Sequence, residues 1–448
     1  MNALKQMPLA LVLTATGTHT AAWRHPDVPT DRATDFSYFR AIAENAERSR
    51  YDLLFIADSL YMNHSDRGGA RRYPRYPYLA FEPLTLLSAL STVTRNIGLA
   101  ATISTTYSSP YATARTFASL DHLSGGRAGW NLVTSQSDLE ARNYGLDAHP
   151  QHAERYARAA EYVDVVRRLW DSWEEDALIG NKETGIAVDP TKLHALNHKG
   201  EHYAVQGPLN APRPPQGNPV IIQAGSSGPG QDLAAASADI VFTVQRDKSS
   251  AQKFYRSLKD RLKAHGRSPD SMIIMPGIYA VVGDTEKEAQ EKFAELQSLV
   301  HPEVGLELLA KQLGLTDFSN IDIDKPLPPI GDINTSKSRL DQIRTMGLEG
   351  LTVREIYMRL APGLGHHLLI GSAQRVADTL IDWQRDGAAD GFMLIPGVMP
   401  QAQNDFDRLV LPILQERGVV RREYQGTTLR ENLGLPKPRN SFNGETVE

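Results

Sequence analysis

The sequence predicts an α/β protein whose single domain spans residues 1–448, built as a (β/α)8 TIM barrel with insertions over its C-terminal mouth. Short apolar runs alternate with amphipathic helical patterns, and brief connections join them, as in a parallel sheet with crossover helices. Eight such units can be counted, which is the number that closes this barrel. A length of 448 residues would also suit two or three average domains, but barrels with insertions reach it.

The predicted strands are short apolar runs. They lie at 9–13, 51–58, 97–103, 127–133, 219–223, 240–244, 272–282 and 391–395. The helices place apolar residues at helical spacing, as Phe36, Phe39 and Ile42 do in the first one. They lie at 35–50, 83–93, 111–122, 153–173, 231–237, 251–264, 285–300, 374–386 and 406–416.

Three segments depart from this alternation. Residues from about 174 to 217 and from about 301 to 365 lose the pattern and carry several prolines, which predicts two excursions over the barrel mouth. The tail from about 421 is polar and contains proline, so we expect it to wrap a neighbouring subunit or to hang free.

Composition excludes several functional classes. The net charge of −5 comes without a basic block, so nucleic acid is not an expected partner. No apolar run is long enough to span a membrane and no signal-peptide pattern opens the chain, so a cytoplasmic location is expected. The absence of cysteine excludes disulfides, thiolate nucleophiles and iron–sulfur clusters. Any redox chemistry would therefore need an organic cofactor or a metal held by histidine or carboxylate groups.

The fourth predicted strand ends in polar groups. It follows a Gly125-Gly126 turn and continues through Asn131 to Thr134 and Ser135. In a parallel barrel the C-terminal ends of the strands form the mouth, where ligands bind. A binding role and a plain polar connection remain equally open on this pattern alone.

Two later features suit an anion. His152 and Tyr156 are four residues apart at the start of a helix, so both project from one face near its positive end. The turn at 225–228, which contains Ser226 and Ser227, joins a strand to a helix and offers backbone amides and hydroxyl groups. The alternatives are a surface histidine with a packed tyrosine, and a strand-to-helix turn with a serine cap.

A histidine series in the first insertion invites a metal interpretation. His194, His198 and His202 have a spacing of four, but Lys199 and Gly200 interrupt the helix that would align them. A loop is the better account, and no metal is expected. The signatures of metalloproteases, P-loop NTPases and dinucleotide-binding folds are missing from the sequence.

The run from Gly125 to Ser135, followed by Glu140 to Gly145 and by His152 and Arg155-Tyr156, resembles the bacterial-luciferase-like flavin monooxygenases. More narrowly, it resembles the branch of nitrilotriacetate monooxygenase component A and dibenzothiophene sulfone monooxygenase. The likeness extends over nearly the whole chain, through segments at 22–25, 53–58, 223–227, 301–306 and 423–430.

This resemblance implies roles for particular residues. The flavin phosphate would be bound by His152, Tyr156, Ser226 and Ser227, and the ring and ribityl chain would be lined by Asp58, Thr102 and Asn131. The catalytic candidates it implies are His25, Phe55 and Asn131. His25 would be a donor to oxygen or substrate, although a solvent-facing loop histidine is the alternative, and His19 and Tyr107 are weaker candidates for the same cavity.

The implied activity is a two-component monooxygenase. A separate NAD(P)H:flavin reductase would supply reduced FMN (FMNH2), O2 would be the co-substrate, and a flavin peroxide at C4a or N5 would oxygenate a small organic substrate with C–S or C–N cleavage. Arg24, Arg71 and Arg72 would favour an anionic substrate, whereas the aromatic stretch 73–78 would favour a flat apolar one. The alternatives are a flavin- or F420-dependent dehydrogenase on the same barrel and a non-enzymatic flavin carrier. A homodimer or homotetramer is expected by analogy.

Overall fold

Eight parallel strands close into a barrel in the computed structural model, which describes residues 6–62, 81–313, 321–328 and 337–442. The circuit runs in the order β1, β2, β3, β4, β9, β10, β11 and β13, and pairing of β13 with β1 closes it. This confirms the predicted barrel. Its strands are β1 (Leu9–Val12), β2 (Leu53–Ile56), β3 (Gly98–Ser104), β4 (Ala128–Val133), β9 (Val220–Gln223), β10 (Ile240–Thr243), β11 (Ile273–Gly283) and β13 (Phe392–Leu394).

Helices surround the barrel and begin close to the predicted positions. Side chains cap many of them: Asp35 accepts from the Ser37 amide, and Ser109 accepts from the Ala112 amide. The described helices are α1 (Phe36–Arg48), α2 (Pro83–Ser91), α3 (Pro110–Ser124), α4 (Asp138–Asn143), α5 (His152–Trp170), α6 (Gly228–Ser237), α7 (Lys248–Ala264), α8 (Glu286–Ser298), α9 (Pro302–Leu313), α10 (Lys337–Leu348), α11 (Val353–Leu360), α12 (Ala373–Arg385), α13 (Gln401–Asp405), α14 (Leu411–Glu416) and α15 (Leu429–Leu433).

Strand alternation decides which residues reach the barrel interior. Leu99 and Ala101 on β3 pack outward against the helices, so Ala100 and Thr102 point inward. Thr102 lies directly opposite Asn131 of β4, which also faces inward because Trp130 and Leu132 are packed under the helices. The two polar side chains therefore meet inside the barrel near its C-terminal mouth.

The two insertions contain regular structure of their own. The first forms two hairpins, β5 (Leu178–Asn181) with β6 (Ile186–Val188) and β7 (His198–Lys199) with β8 (Ala204–Val205). The second contributes α9, α10 and α11, which share a small apolar core. The chain then returns through β12 (His367–Ser372), a strand that the sequence analysis missed. β12 pairs with the outer half of the long β11 and so extends the sheet beyond the barrel.

The described part of the tail, up to residue 442, does not hang free as one of the two expectations had it. Leu429 and Leu433 of α15 join the apolar cluster of the barrel interior, and Leu429 packs against Gly98 and Leu53 near the N-terminal ends of their strands. Arg430 forms a buried ion pair with Asp239 at 2.7 Å. The tail thus closes the bottom of its own barrel, because that end exposes apolar side chains which must be covered.

Within the described ranges, no helix combines the length and apolar character that a bilayer span requires.

Candidate active site

Thr102 and Asn131 form a hydrogen-bonded pair inside the mouth. The Thr102 hydroxyl donates to the Ile56 carbonyl at 2.6 Å, so it accepts from Asn131 Nδ2 at 2.8 Å. This chain of donors fixes the orientation of the Asn131 amide. Asn131 Oδ1 then stays buried with no hydrogen-bond partner in the part of the chain that the structure describes. A buried acceptor without a donor costs free energy, so this atom suits an N–H group of a bound molecule.

The N-termini of α5 and α6 converge on the same rim. His152 is the first residue of α5, and its exposed ring lies 4.8 Å from the ring of Tyr156. A Cβ atom on Gly230 would stand 3.0 Å from Tyr156 Oη and 3.1 Å from Ser227 Oγ. The tyrosine hydroxyl and the serine hydroxyl therefore flank one glycine, and the structure brings together the predicted phosphate-binding side chains Tyr156 and Ser227.

The Ser227 hydroxyl group can donate a hydrogen bond at this rim. It is the N-cap of α6, and its Oγ accepts from the Gly230 amide at 3.2 Å. Acceptance leaves the hydroxyl proton for another acceptor. Ser226 is exposed beside it, and the Gly228 amide opens α6 at the positive end of the helix dipole. Pro229 has no N–H, and the amides of Gly230 and Gln231 are bonded to Ser227. The two hydroxyl groups and the Gly228 amide together fit a phosphate monoester.

Asp58 lies at the mouth just beyond β2. Its carboxylate accepts from the Ser59 amide at 2.8 Å, a turn-forming bond. Burial raises the pKa of Asp58, and the negative charges of Glu82 and Glu140 add to the increase, while the Ser59 amide opposes it. Glu140 is itself buried and accepts from the Leu60 amide at 3.2 Å. The role of Asp58 in lining a flavin stays a prediction. Its carboxyl group holds a proton more tightly than a solvent-exposed carboxyl group does.

A polar network that was not predicted from the sequence lies beside this carboxyl group. Arg155 contacts the Ser135 carbonyl and donates to His149 Nε2 at 2.9 Å, and His149 Nδ1 is bonded to the hydroxyl of Tyr107. Burial and the Arg155 charge lower the pKa of His149. Because arginine only donates, Nε2 accepts from Arg155. The neutral imidazole therefore carries its proton on Nδ1 and donates this N–H to the hydroxyl oxygen of Tyr107. Tyr107 also stacks on Tyr144 at 4.7 Å.

Aromatic side chains form the floor of the mouth. Phe55 of β2 is 2% exposed and meets the partly buried Phe242 of β10 across the barrel, with ring centroids 5.8 Å apart. The ring of His366 stacks on Phe242 at 5.3 Å. Phe55 is thus buried against Phe242, which in turn contacts the His366 ring. Neither Phe242 nor His366 was singled out from the sequence.

The two histidines after β1 have different environments. His25 follows a 3-10 turn (Ala22–Arg24), and its Nδ1 accepts from the Asp27 amide at 3.3 Å. It is thus held by its own turn, and its catalytic role stays a prediction. His19 is 1% exposed, and burial lowers its pKa to about 3, so it is a neutral imidazole. The ring of His19 lies 6.5 Å from that of Tyr279.

Other predicted contacts lie elsewhere. His194 contacts Glu174 and His198 contacts Glu161, both at 2.9 Å, so these two histidines face different carboxylates. Arg24 contacts the Leu299 carbonyl. Arg71, Arg72 and the aromatic stretch 73–78 lie outside the described residues. A flank groove of about 500 Å³, lined by residues such as Tyr111 and Tyr203, contains none of the predicted site residues.

Comparison with known proteins relates the whole chain to one family. Residues 13–390 match the model of the family described as luciferase-like monooxygenase. The chain is 49% identical to N-acetyl-S-(2-succino)cysteine monooxygenase of Bacillus subtilis, with 98% of each protein covered. It is 44% identical to nitrilotriacetate monooxygenase component A of Aminobacter aminovorans, with 98% of this chain and 99% of the relative covered. Dibenzothiophene-sulfone monooxygenase of Rhodococcus erythropolis is 40% identical, with 98% of each covered.

Solved structures give the same relationship. EDTA monooxygenase from Chelativorans sp. BNC1 superposes with a TM-score of 0.81 at 34% identity, covering 97% of this chain and 99% of the other. A riboflavin lyase solved with modified FMN and riboflavin superposes with a TM-score of 0.85 at 31% identity, covering 97% of both chains. The barrel with its insertions is therefore shared over almost its full length with a protein whose solved structure contains modified FMN.

Proposed function

Because the chain belongs to the luciferase-like monooxygenase family, it is a monooxygenase, and we propose that it uses reduced FMN supplied by a separate NAD(P)H:flavin reductase. The relative named as component A supports this division between two proteins. The sequence of this chain also lacks a nicotinamide-binding fingerprint of its own. O2 is the co-substrate in this proposal, and a homodimer or homotetramer is the expected assembly.

The observation that carries the proposal is the convergence of Tyr156 and Ser227 at Gly230, on the rim above the unpaired acceptor of Asn131. In this arrangement the Ser227 hydroxyl and the Gly228 amide at the start of α6 donate to the phosphate, with His152 and Tyr156 from α5 beside them. Ser226 is the further hydroxyl at this rim. Asn131 Oδ1 accepts from the flavin ring, and Thr102 holds the amide in the orientation that presents this oxygen.

Bound reduced FMN would supply the two electrons that activate O2. The protein side of the reaction is to keep the site dry and to position the substrate. Phe55, 2% exposed, closes the barrel beneath the mouth and excludes water from below. Asp58, whose pKa burial raises, retains a proton to higher pH than an ordinary carboxyl does. We propose that Asp58 lies along the flavin and that His25 lies on the substrate side.

The proposed substrate is a small organic molecule that undergoes C–S or C–N cleavage. Relatives named for N-acetyl-S-(2-succino)cysteine and for nitrilotriacetate, both covered almost completely, support these two bond types. In the balanced reaction one atom of O2 enters the organic product, and the other leaves as water with the two electrons of the flavin. Oxygenation beside the heteroatom then releases the C–S or C–N fragment.

The test is turnover with chemically reduced FMN under labelled O2. The panel contains N-acetyl-S-(2-succino)cysteine, nitrilotriacetate, dibenzothiophene sulfone and a haloaromatic compound, with products read by mass. We expect one labelled oxygen atom in the product from at least one compound, and no product without O2. Substrate-dependent reduction of oxidised FMN in the absence of O2 would instead identify a dehydrogenase, and no reaction with any compound would overturn the proposed substrate class.

A further inference from the structure

The His366 ring lies inside the barrel, in a space that is open because residue 277 is glycine. The chain returns from the second insertion through Gly363 and Gly365, and the His366 ring then lies against Gly277 of β11. A Cβ atom on Gly277 would stand 2.3 Å from His366 Nδ1, which is closer than any real contact. Gly277 is paired with Met393 of β13 and faces the interior. The imidazole therefore occupies the space that a side chain at residue 277 would fill.

The same ring is part of the aromatic floor. It stacks on Phe242 with an interplanar angle of 29°, and Phe242 continues the contact to Phe55 on the opposite side of the barrel. Above Phe242, the next inward residue of the same chain segment is Val244, which is 43% exposed at the mouth. His366 is half-buried, with Nδ1 inside and the residue as a whole still partly open to solvent. The imidazole therefore lies on the β11 side of Phe242, with part of its surface open to solvent.

We propose that His366 is a specificity-determining residue, which sets the room above the Phe55 and Phe242 floor for the flat or bulky part of the substrate. The proposal rests on the proposed function only in placing the organic substrate in this mouth. No side chain on β11 competes with the imidazole at this level, since residue 277 is glycine. The second insertion thereby controls the width of the pocket through one ring.

Two substitutions change this width in opposite directions. His366→Ala removes the ring and opens the space above Gly277. Gly277→Ala places a methyl group where the ring lies and pushes the imidazole into the mouth. In the double variant the methyl group occupies the space that the ring has left and meets only the Phe242 ring, at 3.0 Å, so most of the effect of Gly277→Ala disappears. Gly347→Ala is the matched control, because its Cβ would meet Leu327 at an ordinary 3.7 Å.

The measurement is equilibrium dialysis of dibenzothiophene sulfone against the full-length protein in excess FMN. We expect His366→Ala to tighten binding at least about fivefold and Gly277→Ala to weaken it by a similar factor. The double variant should stay within about twofold of His366→Ala. Gly347→Ala should bind as the wild type does. The affinity for reduced FMN should stay within about twofold in every variant, which a general loss of structure would not allow.

Equal dissociation constants in all variants, including no measurable binding in any, would overturn the assignment of His366. A full effect of Gly277→Ala in the His366→Ala background would do the same. Turnover separates the two proposals: wild-type protein that binds the sulfone but oxygenates none of the panel contradicts the proposed function alone. Opposite shifts on dialysis would still support His366.

Discussion

Combining His152→Ala with Ser227→Ala removes two of the proposed phosphate-binding side chains of the rim. This double variant should bind reduced FMN more weakly without disturbance of the barrel interior. His152 is exposed at the start of α5, and Ser227 caps α6 beside Gly230. Each charge-assisted hydrogen bond to a phosphate contributes about 1.5–3 kcal/mol. Losing two costs about 3–6 kcal/mol, which corresponds to at least about a 100-fold increase in Kd at about 1.4 kcal/mol per factor of ten.

The assay is anaerobic titration with reduced FMN and, in parallel, with reduced riboflavin, which lacks the phosphate. The double variant should lose its preference for FMN over riboflavin and keep the affinity for riboflavin. Ser227→Ala also removes a helix cap, a cost of about 1 kcal/mol in stability. Ser109→Ala is therefore the control, because Ser109 caps α3 in the same way without reaching this rim. Unchanged FMN affinity in the double variant would refute the phosphate site.

Three further predictions follow from contacts of single side chains. Asn131→Leu removes the unpaired Oδ1 and should weaken reduced flavin about tenfold, at about 1–1.5 kcal/mol for one hydrogen bond; an unchanged Kd by the same titration would exclude this contact. Burial lowers the pKa of His19 from 6.5 to about 3, so the unfolded chain binds the proton first as pH falls. The free energy of unfolding is therefore unaffected by His19 above pH 6.5 and falls as pH decreases towards 3, by about 2 kcal/mol at pH 5. In urea unfolding, the free energy of His19→Asn should depend less on pH than that of the wild type, and an equal dependence would contradict this. Arg430→Ala leaves Asp239 buried without its partner, so urea unfolding should show a loss of about 3–5 kcal/mol; a loss below about 1 kcal/mol would show that the tail does not hold the barrel.

The barrel was predictable because its signals are local. Parallel strands buried on both faces give short apolar runs, and the eight runs found in the sequence correspond to the eight strands of the barrel. The inward positions of Thr102 and Asn131 follow from the two-residue period once the strands are placed. β12 was missed because it pairs with the outer half of β11, where four of its six residues are at least partly exposed and its apolar signal is weak.

Contacts between distant segments could not be predicted. The tail is polar in composition, yet apolar side chains such as Leu429 and Leu433 pack into the barrel. Arg430 donates to Asp239, which lies almost two hundred residues earlier in the chain. The position of the His366 ring depends on glycine at residue 277. A single glycine in a predicted strand does not indicate which side chain will lie against it. His149 lies in a connection without periodicity, so its contact could not be predicted. Its partner Arg155 lies directly before Tyr156 on a helix that was predicted.

The most direct test of the central claim is a crystal structure of the protein with FMN. We expect the phosphate between the N-termini of α5 and α6, within hydrogen-bond distance of Ser227 Oγ, and the flavin ring against the Asn131 amide. Flavin bound elsewhere, such as in the flank groove beside Tyr111 and Tyr203, or a phosphate remote from Ser227, would contradict it.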